Sequence, residues 1–192
     1  HPRSIPVYIV AELFAVAAPG LAPYTAQELH ALGLLPAPDT GIEPGGVTFT
    51  GANAAIYRAN LHLRTANRVL VRLGGFRAVG FDELRKFAGR LAWERFLRPG
   101  QPVALRVTCH KSRLYHSDAV AQRVAAAIGD RLGVPPPVQK FDEESDEDHA
   151  APPPQLILVR LLHDQATVSI DSSGALLHRR GYRLATAKAP LR

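Results

Sequence analysis

Hydrophobic periodicity switches repeatedly between strand and helix spacing in the first 78 residues, and the order of those switches is the tightest constraint on the fold. "AELFAVAAPG" (11–20) reads as a buried strand closed by a Pro-Gly turn. In "YTAQELHALG" (24–33), Thr25 and Glu28 have capping-box spacing, Leu29 and Leu32 share a face, and Gly33 suits the end of a helix. "PAPDTGIEPGGVTFTG" (36–51) holds turn residues around one or two short strands, the clearest from Val47 to Thr50. "ANAAIYRANLHLRTA" (52–66) is helical in its early part, with Ile56, Asn60 and Leu63 near one face. In "RVLVRLGGFRA" (68–78), Val69, Val71 and Leu73 alternate with Arg68, Leu70 and Arg72. The order β-α-β-β-α-β predicts a ferredoxin-like sandwich over residues 1–79.

The second segment repeats the mixture with longer elements. Asp82 is expected to cap a helix in "FDELRKFAGRL" (81–91), whose core stripe is Leu84, Phe87 and Leu91. "QPVALRVTCH" (101–110) alternates cleanly. Val103, Leu105, Val107 and Cys109 face one way; Ala104, Arg106, Thr108 and His110 face the other. After the loop "KSRLYH" (111–116), Ser117 is expected to cap a helix with a strict stripe of Val120, Val124, Ile128 and Leu132, stopped by Gly133 and Pro135. "LILVRLL" and "ATVSID" flank "HDQ" as a hairpin. Residues 135–155, rich in proline and acids, carry too little apolar surface to order themselves and are expected to form an acidic loop. The fold class is therefore α+β.

Charge narrows the partners. The chain has 192 residues and a net charge of +6. Six acids and no bases sit in "DEESDED" (142–148), so the remaining residues carry +12. A body this basic suits a polyanion, nucleic acid before membrane surface. No apolar run is long enough to span a bilayer, and the first residues lack the layout of a secretion signal. With one cysteine, Cys109, no internal disulfide forms, which is compatible with a cytoplasmic setting.

Catalytic signatures are not found. The eight histidines show no zinc-site spacing, the acids of 142–148 lack the glycine and spaced ligands of a calcium loop, and no P-loop, nucleophile elbow or G-x-G-x-x-G occurs. Basic groups interleaved with aromatic and hydrogen-bonding ones are what remains. In "HKSRLYH" (110–116), Lys111 and Arg113 suit phosphates, Ser112 offers a hydroxyl donor, and Tyr115 and His116 suit stacking, just ahead of a helix N-terminus. "HRRGYR" (178–183) repeats the chemistry with Arg179, Arg180, Arg183 and Tyr182. Each stretch also suits a solvated loop or basic linker. Asp171, Ser172, Ser173 and Gly174 read as the small polar end of a strand.

"GGVTFTG", "NLHLRTANRVLVRLGGF", "KSRLYHSDAV" and "TVSIDSSGALLHRRGYRLATAKAPLR" together resemble the N-terminal half of the THUMP-containing RNA guanine methyltransferases. The nearest group modifies the exocyclic amine of a guanine in large-subunit ribosomal RNA. The resemblance implies a ferredoxin-like domain over 1–79 and a THUMP α/β domain over 80–183 that together grip RNA, then a linker over 184–192 into a Rossmann-like domain that uses S-adenosylmethionine. That family's catalytic domain carries a glycine-rich cofactor loop and a short motif of Asn or Asp, two residues and an aromatic. Neither is placed on this chain, whose asparagines stand only at 53, 60 and 67. The implied catalytic residues and cofactor are accordingly expected outside it. RNA is the implied partner, ribosomal RNA first and transfer RNA second, because THUMP domains also serve tRNA methyltransferases and thiouridine synthases. An α+β domain with incidental basic charge, binding a protein or a small molecule, is the reading from a different class.

Overall fold

The computed structural model describes residues 10–140 and 153–177. Within them the order is β1 (Ala11–Ala17), α1 (Ala22–Ala31), β2 (Ile42–Glu43), β3 (Gly46–Gly51), α2 (Asn53–His62), β4 (Ala66–Arg77), α3 (Phe81–Ala88), a 3-10 turn (Trp93–Arg95), β5 (Val103–His110), α4 (Ser117–Leu132), β6 (Gln155–Leu162) and β7 (Gln165–Asp171). None of the described helices is long and apolar enough to cross a membrane. The chain divides into two compact units: residues up to Val71 together with the segment from Ser172, and Arg72–Asp171.

The first unit has the expected β-α-β-β-α-β order, with strands arranged β2-β3-β1-β4. β1 runs antiparallel to both β3 and β4, which lines up two cross-strand rows: Phe49–Leu13–Val71 and Val47–Ala15–Val69. All six side chains are buried. They form the sheet's inner face, with the aliphatic and aromatic cross-strand pairs that stabilise such sheets. Thr25, Ala26 and Leu29 of α1 and Ala55 and Ala59 of α2 are the buried helix positions. Ile56 and Asn60, expected near the buried face, are half-buried; the small alanines take the closest approach.

α1 starts earlier than the capping-box spacing predicts. Leu21 is the N-cap, with no side-chain cap, and Pro23 sits in the first turn, where its fixed φ and missing N–H cost nothing. Thr25 and Glu28 instead serve a tertiary contact. The Thr25 and Thr65 hydroxyls lie 2.8 Å apart, and Glu28 Oε2 accepts from Arg64 N–H (2.9 Å), Thr65 N–H (3.3 Å) and the Thr65 hydroxyl (3.0 Å). The helix ends as expected at Gly33, whose φ of 70° lets Gly33 N–H reach His30 O and Leu34 N–H reach Leu29 O.

The second unit, from Arg72 of β4 onward, orders its strands β4-β7-β6-β5. β5 and β6 are parallel, joined by the α4 crossover, and β6–β7 is an antiparallel hairpin. The core brings Leu84 of α3, Trp93, and Val120, Val124 and Ile128 of α4 against Val103, Ile157, Val159, Leu161, Val168 and Ile170. The predicted α4 stripe is thus buried through Ile128, with Leu132 packed at its margin. Trp93 Nε1–H donates to Ala88 O at 2.7 Å, satisfying the buried indole.

Two further expected caps are displaced. Gly80 is the N-cap of α3 and His116 that of α4, both without a side-chain cap, so Asp82 and Ser117 lie inside the first turns. Glu83 reaches back to accept Val79 N–H at 2.9 Å. The expected loop 135–155 begins as an ordered strap. Val103 N–H donates to Pro137 O, Gln139 N–H donates to Val103 O, and Val138 forms a parallel bridge with Val103. The acidic run 142–148 lies outside the described residues, as does 184–192.

Asp171–Gly174 ends the strand, as expected, and its serines, which belong to the first unit, bond within that unit. Ser172 N–H and Oγ–H both donate to Val69 O (3.0 and 2.7 Å), and Ser173 Oγ accepts Val69 N–H at 2.8 Å. Arg68, only 3% exposed, donates through Nη1 to Gly174 O at 2.9 Å. These bonds are why residues from Ser172 group with β4 and α2, where the sequence places them at the end of the second domain.

Candidate nucleic-acid interface

Between β5 and α4 the chain must leave a strand, turn, and enter a helix within Lys111–His116. Two anchors fix its path. Leu114 is buried in the core of the second unit, and the β6–β7 turn holds the backbone on either side of Ser112. The Ser112 hydroxyl donates to His110 O and accepts Asp164 N–H, both at 3.0 Å. Arg113 N–H donates to Asp164 Oδ1 at 2.8 Å, and His163 N–H donates to His110 O at 3.2 Å.

With the backbone held inward, the side chains of Lys111, Arg113, Tyr115 and His116 are exposed. Tyr115 is 69% exposed, and its ring lies 4.0 Å from that of His116, tilted by 41°. The arrangement offers two cations for phosphate and an aromatic pair for an unpaired base. Five of the predicted residues are therefore brought together: Lys111, Ser112, Arg113, Tyr115 and His116. Ser112 differs from the others, because its one hydroxyl proton is committed to His110 O. Arg179, Arg180, Tyr182 and Arg183 lie outside the described residues.

The helix N-terminus behind the loop is a weaker anion site than its position implies. Asp118 occupies the first turn of α4 and already answers the positive end of the dipole. Cations also stand on the face of β5 that points away from the helices. Arg106, Thr108 and His110 are exposed there, and Arg160 of β6 pairs in register with Thr108. The alternation of "QPVALRVTCH" places Arg106 on that face, but no sequence pattern marks Arg106 or Arg160 as part of a site. Nor does anything local mark Asp164, a hairpin residue, as the partner of a loop 51 positions away.

The rest of the described surface is less suited to chemistry. In the shallow depression between α3 and α4, Arg85 is clasped by Asp130, and Arg131 is bound to Glu94. Burial pushes the Cys109 thiol above its ordinary pKa, away from a nucleophilic thiolate. Among the described residues no group of three His, Cys, Asp or Glu is placed to hold a metal ion.

Comparison with known proteins accounts for both units. Residues 12–70 match the family described as the RlmL ferredoxin-like domain, and residues 78–171 match the THUMP domain. The ribosomal RNA large subunit methyltransferase K/L of Syntrophotalea carbinolica is 36% identical over 181 residues, 94% of this chain and 24% of that protein. A crystal structure from Listeria monocytogenes, described as a predicted N6-adenine-specific DNA methylase, aligns with a TM-score of 0.79 and 35% identity over 95% of this chain and 46% of that one. SMU.472, a putative methyltransferase complexed with SAH, aligns with a TM-score of 0.75 and 32% identity over 93% of this chain and 45% of its own. This chain spans about a quarter of the first curated relative and under half of either solved structure. It is an RlmL-type ferredoxin-like domain followed by a THUMP domain.

Proposed function

We propose that this chain is the RNA-gripping module of a longer, cytoplasmic, S-adenosylmethionine-dependent RNA methyltransferase, and that it presents a guanine of large-subunit ribosomal RNA for methylation at N2. The observation that carries the reading is the loop Lys111–His116, where exposed cations and an exposed aromatic pair project from a backbone pinned by Asp164 and His163. Cations attract phosphate regardless of sequence, and stacking holds a base that has left its helix. Arg179, Arg180, Tyr182 and Arg183 would extend this surface. The target guanine would be received by the methyltransferase domain of the same protein, since such chemistry needs the base out of its stack.

The cofactor is assigned to that further domain. The strand-to-helix connections described here, at 18–21, 52, 78–80 and 111–116, hold at most one glycine each. They do not fit the glycine-rich cofactor loop of the methyltransferase family. Ribosomal RNA is preferred to transfer RNA on the strength of the K/L relatives.

The test is fluorescence anisotropy with labelled large-subunit rRNA fragments and with tRNA, at several salt concentrations. The expected result is tighter binding to rRNA, with log affinity falling against log salt by about 0.7 per phosphate contacted on single strands. Tighter binding to tRNA would transfer the substrate assignment, and binding to neither at low salt would overturn the RNA reading.

A further inference from the structure

We propose that the two-residue turn joining β6 to β7 is part of the RNA-contacting site, with Asp164 and Ser112 as its positioning residues. The inference rests on the RNA-binding reading of Lys111–His116.

Three non-glycine residues have positive φ among the described residues: Lys111 at 47°, His163 at 50° and Asp164 at 62°. Two form the hairpin turn, and the third begins the loop pinned against it. A two-residue hairpin of this type is locally best served by Asn-Gly. His-Asp at this turn accepts a conformational cost, and the neighbouring loop shows what the carboxylate does in return.

Asp164 bonds through three different groups. Its N–H donates to Ser112 Oγ (3.0 Å), its carboxylate accepts Arg113 N–H (2.8 Å), and its carbonyl accepts Ala78 N–H (2.9 Å). Ser112 passes the restraint on by donating to His110 O, which also accepts His163 N–H. The hydroxyl that the sequence offers to RNA is thus used inside the protein. The Lys111 and Arg113 side chains leave the loop on either side of a fixed residue. Pinning the loop before RNA arrives removes part of the ordering cost of binding.

Simple electrostatics predicts the opposite of this role, which makes the two separable. An acid beside cations that bind a polyanion should weaken binding, so deleting it should tighten binding. A positioning role predicts that deletion of the acceptor loosens it.

The experiment compares Asp164→Gly with Asp164→Asn in the full 192-residue chain, binding a fluorescein-labelled large-subunit rRNA hairpin with an unpaired loop. Glycine keeps the left-handed backbone and removes both charge and acceptor. Asparagine removes the charge, tolerates the same φ, and keeps an oxygen for Arg113 N–H. Asp164→Asn is expected to bind as tightly as the parent or tighter. Asp164→Gly is expected to bind about fivefold more weakly, the scale of one lost hydrogen bond, with the salt slope unchanged because every cation remains. Ser112→Ala is expected to weaken binding in the same way and carries the test if Asp164→Gly does not fold. Equal or tighter binding by Asp164→Gly and Ser112→Ala, while the Lys111→Gln/Arg113→Gln double variant loses affinity, overturns this inference alone. No loss in that double variant overturns the RNA reading beneath it.

Discussion

Asn60 holds both serines that follow β7. Its Nδ2–H donates to Ser172 Oγ at 3.0 Å, and its Oδ1 accepts from Ser173 Oγ at 2.7 Å. A single amide on α2 thereby ties down residues more than 110 positions away, and the same serines bond Val69 of β4. Asn60→Ala would remove both of these bonds between half-buried groups. The expected destabilisation is about 1–3 kcal/mol, read as a lower midpoint in a urea melt followed by circular dichroism. A variant as stable as the parent would show that water replaces the amide without cost.

The Arg131–Glu94 ion pair should be visible in acid titration. Two bonds from Arg131, at 3.1 and 2.7 Å, hold the Glu94 carboxyl down to a pKa of about 2 against an ordinary 4.5, with a smaller contribution from a backbone hydrogen bond. A carboxyl depressed in the folded state contributes stability above its unfolded pKa. That contribution fades as pH falls from about 4.5 toward 2. Both side chains are about half exposed, so solvent screening keeps the stability effect small. A carbon-detected NMR titration of the Glu94 carboxyl is the better measure, and Arg131→Met should raise its midpoint toward the ordinary range. An unchanged midpoint in that variant would remove Arg131 as the cause.

Gly46 tests the close packing of the first unit's sheet. It pairs with Val16 of β1, and a Cβ placed there would collide with Ala15 O and stand 2.9 Å from the Phe14 ring. The clash is with backbone, which cannot swing aside as a long side chain does. Gly46→Ala should cost about 1–3 kcal/mol or more, seen as a lower denaturation midpoint at constant m-value. A midpoint within error of the parent would mean that β3 shifts away from β1 without penalty.

Periodicity made the elements legible, and local chemistry misplaced their ends. The order β-α-β-β-α-β, the alternation of β5, the α4 stripe and the hairpin at "HDQ" follow from which side chains must be buried together. Those patterns are written within single elements. All three expected N-caps failed because Thr25, Asp82 and Ser117 suit first turns nearly as well as caps. Leu21, Gly80 and His116 took the cap positions instead. The ferredoxin-like type follows from element order alone; the THUMP type comes from the resemblance, because periodicity shows only an α/β segment there. Within the candidate interface, the residues in one loop were readable because they are contiguous. Asp164, Arg160 and the bonds of Ser172 and Ser173 were not, since each depends on strand pairing or chain return over long separations.

Tyr115 separates stacking from charge at the interface. Its ring is exposed and lies against His116, so one face of the aromatic pair is presented to solvent ahead of α4. A base stacked on an aromatic ring is worth about 1–3 kcal/mol by alanine substitution and depends little on salt, whereas each phosphate contact contributes about 0.7 to the salt slope on single strands. Tyr115→Ala should therefore weaken binding to an rRNA fragment with an unpaired loop at every salt concentration, leaving the slope unaltered. Tyr115→Phe should bind like the parent, because the proposed stacking contact uses the ring and not the hydroxyl. Arg113→Gln should show the reverse pattern, with a shallower slope and a loss concentrated at low salt. The measurement is anisotropy over a salt series. A Tyr115→Ala variant whose affinity matches the parent throughout would confine the contact to the cations.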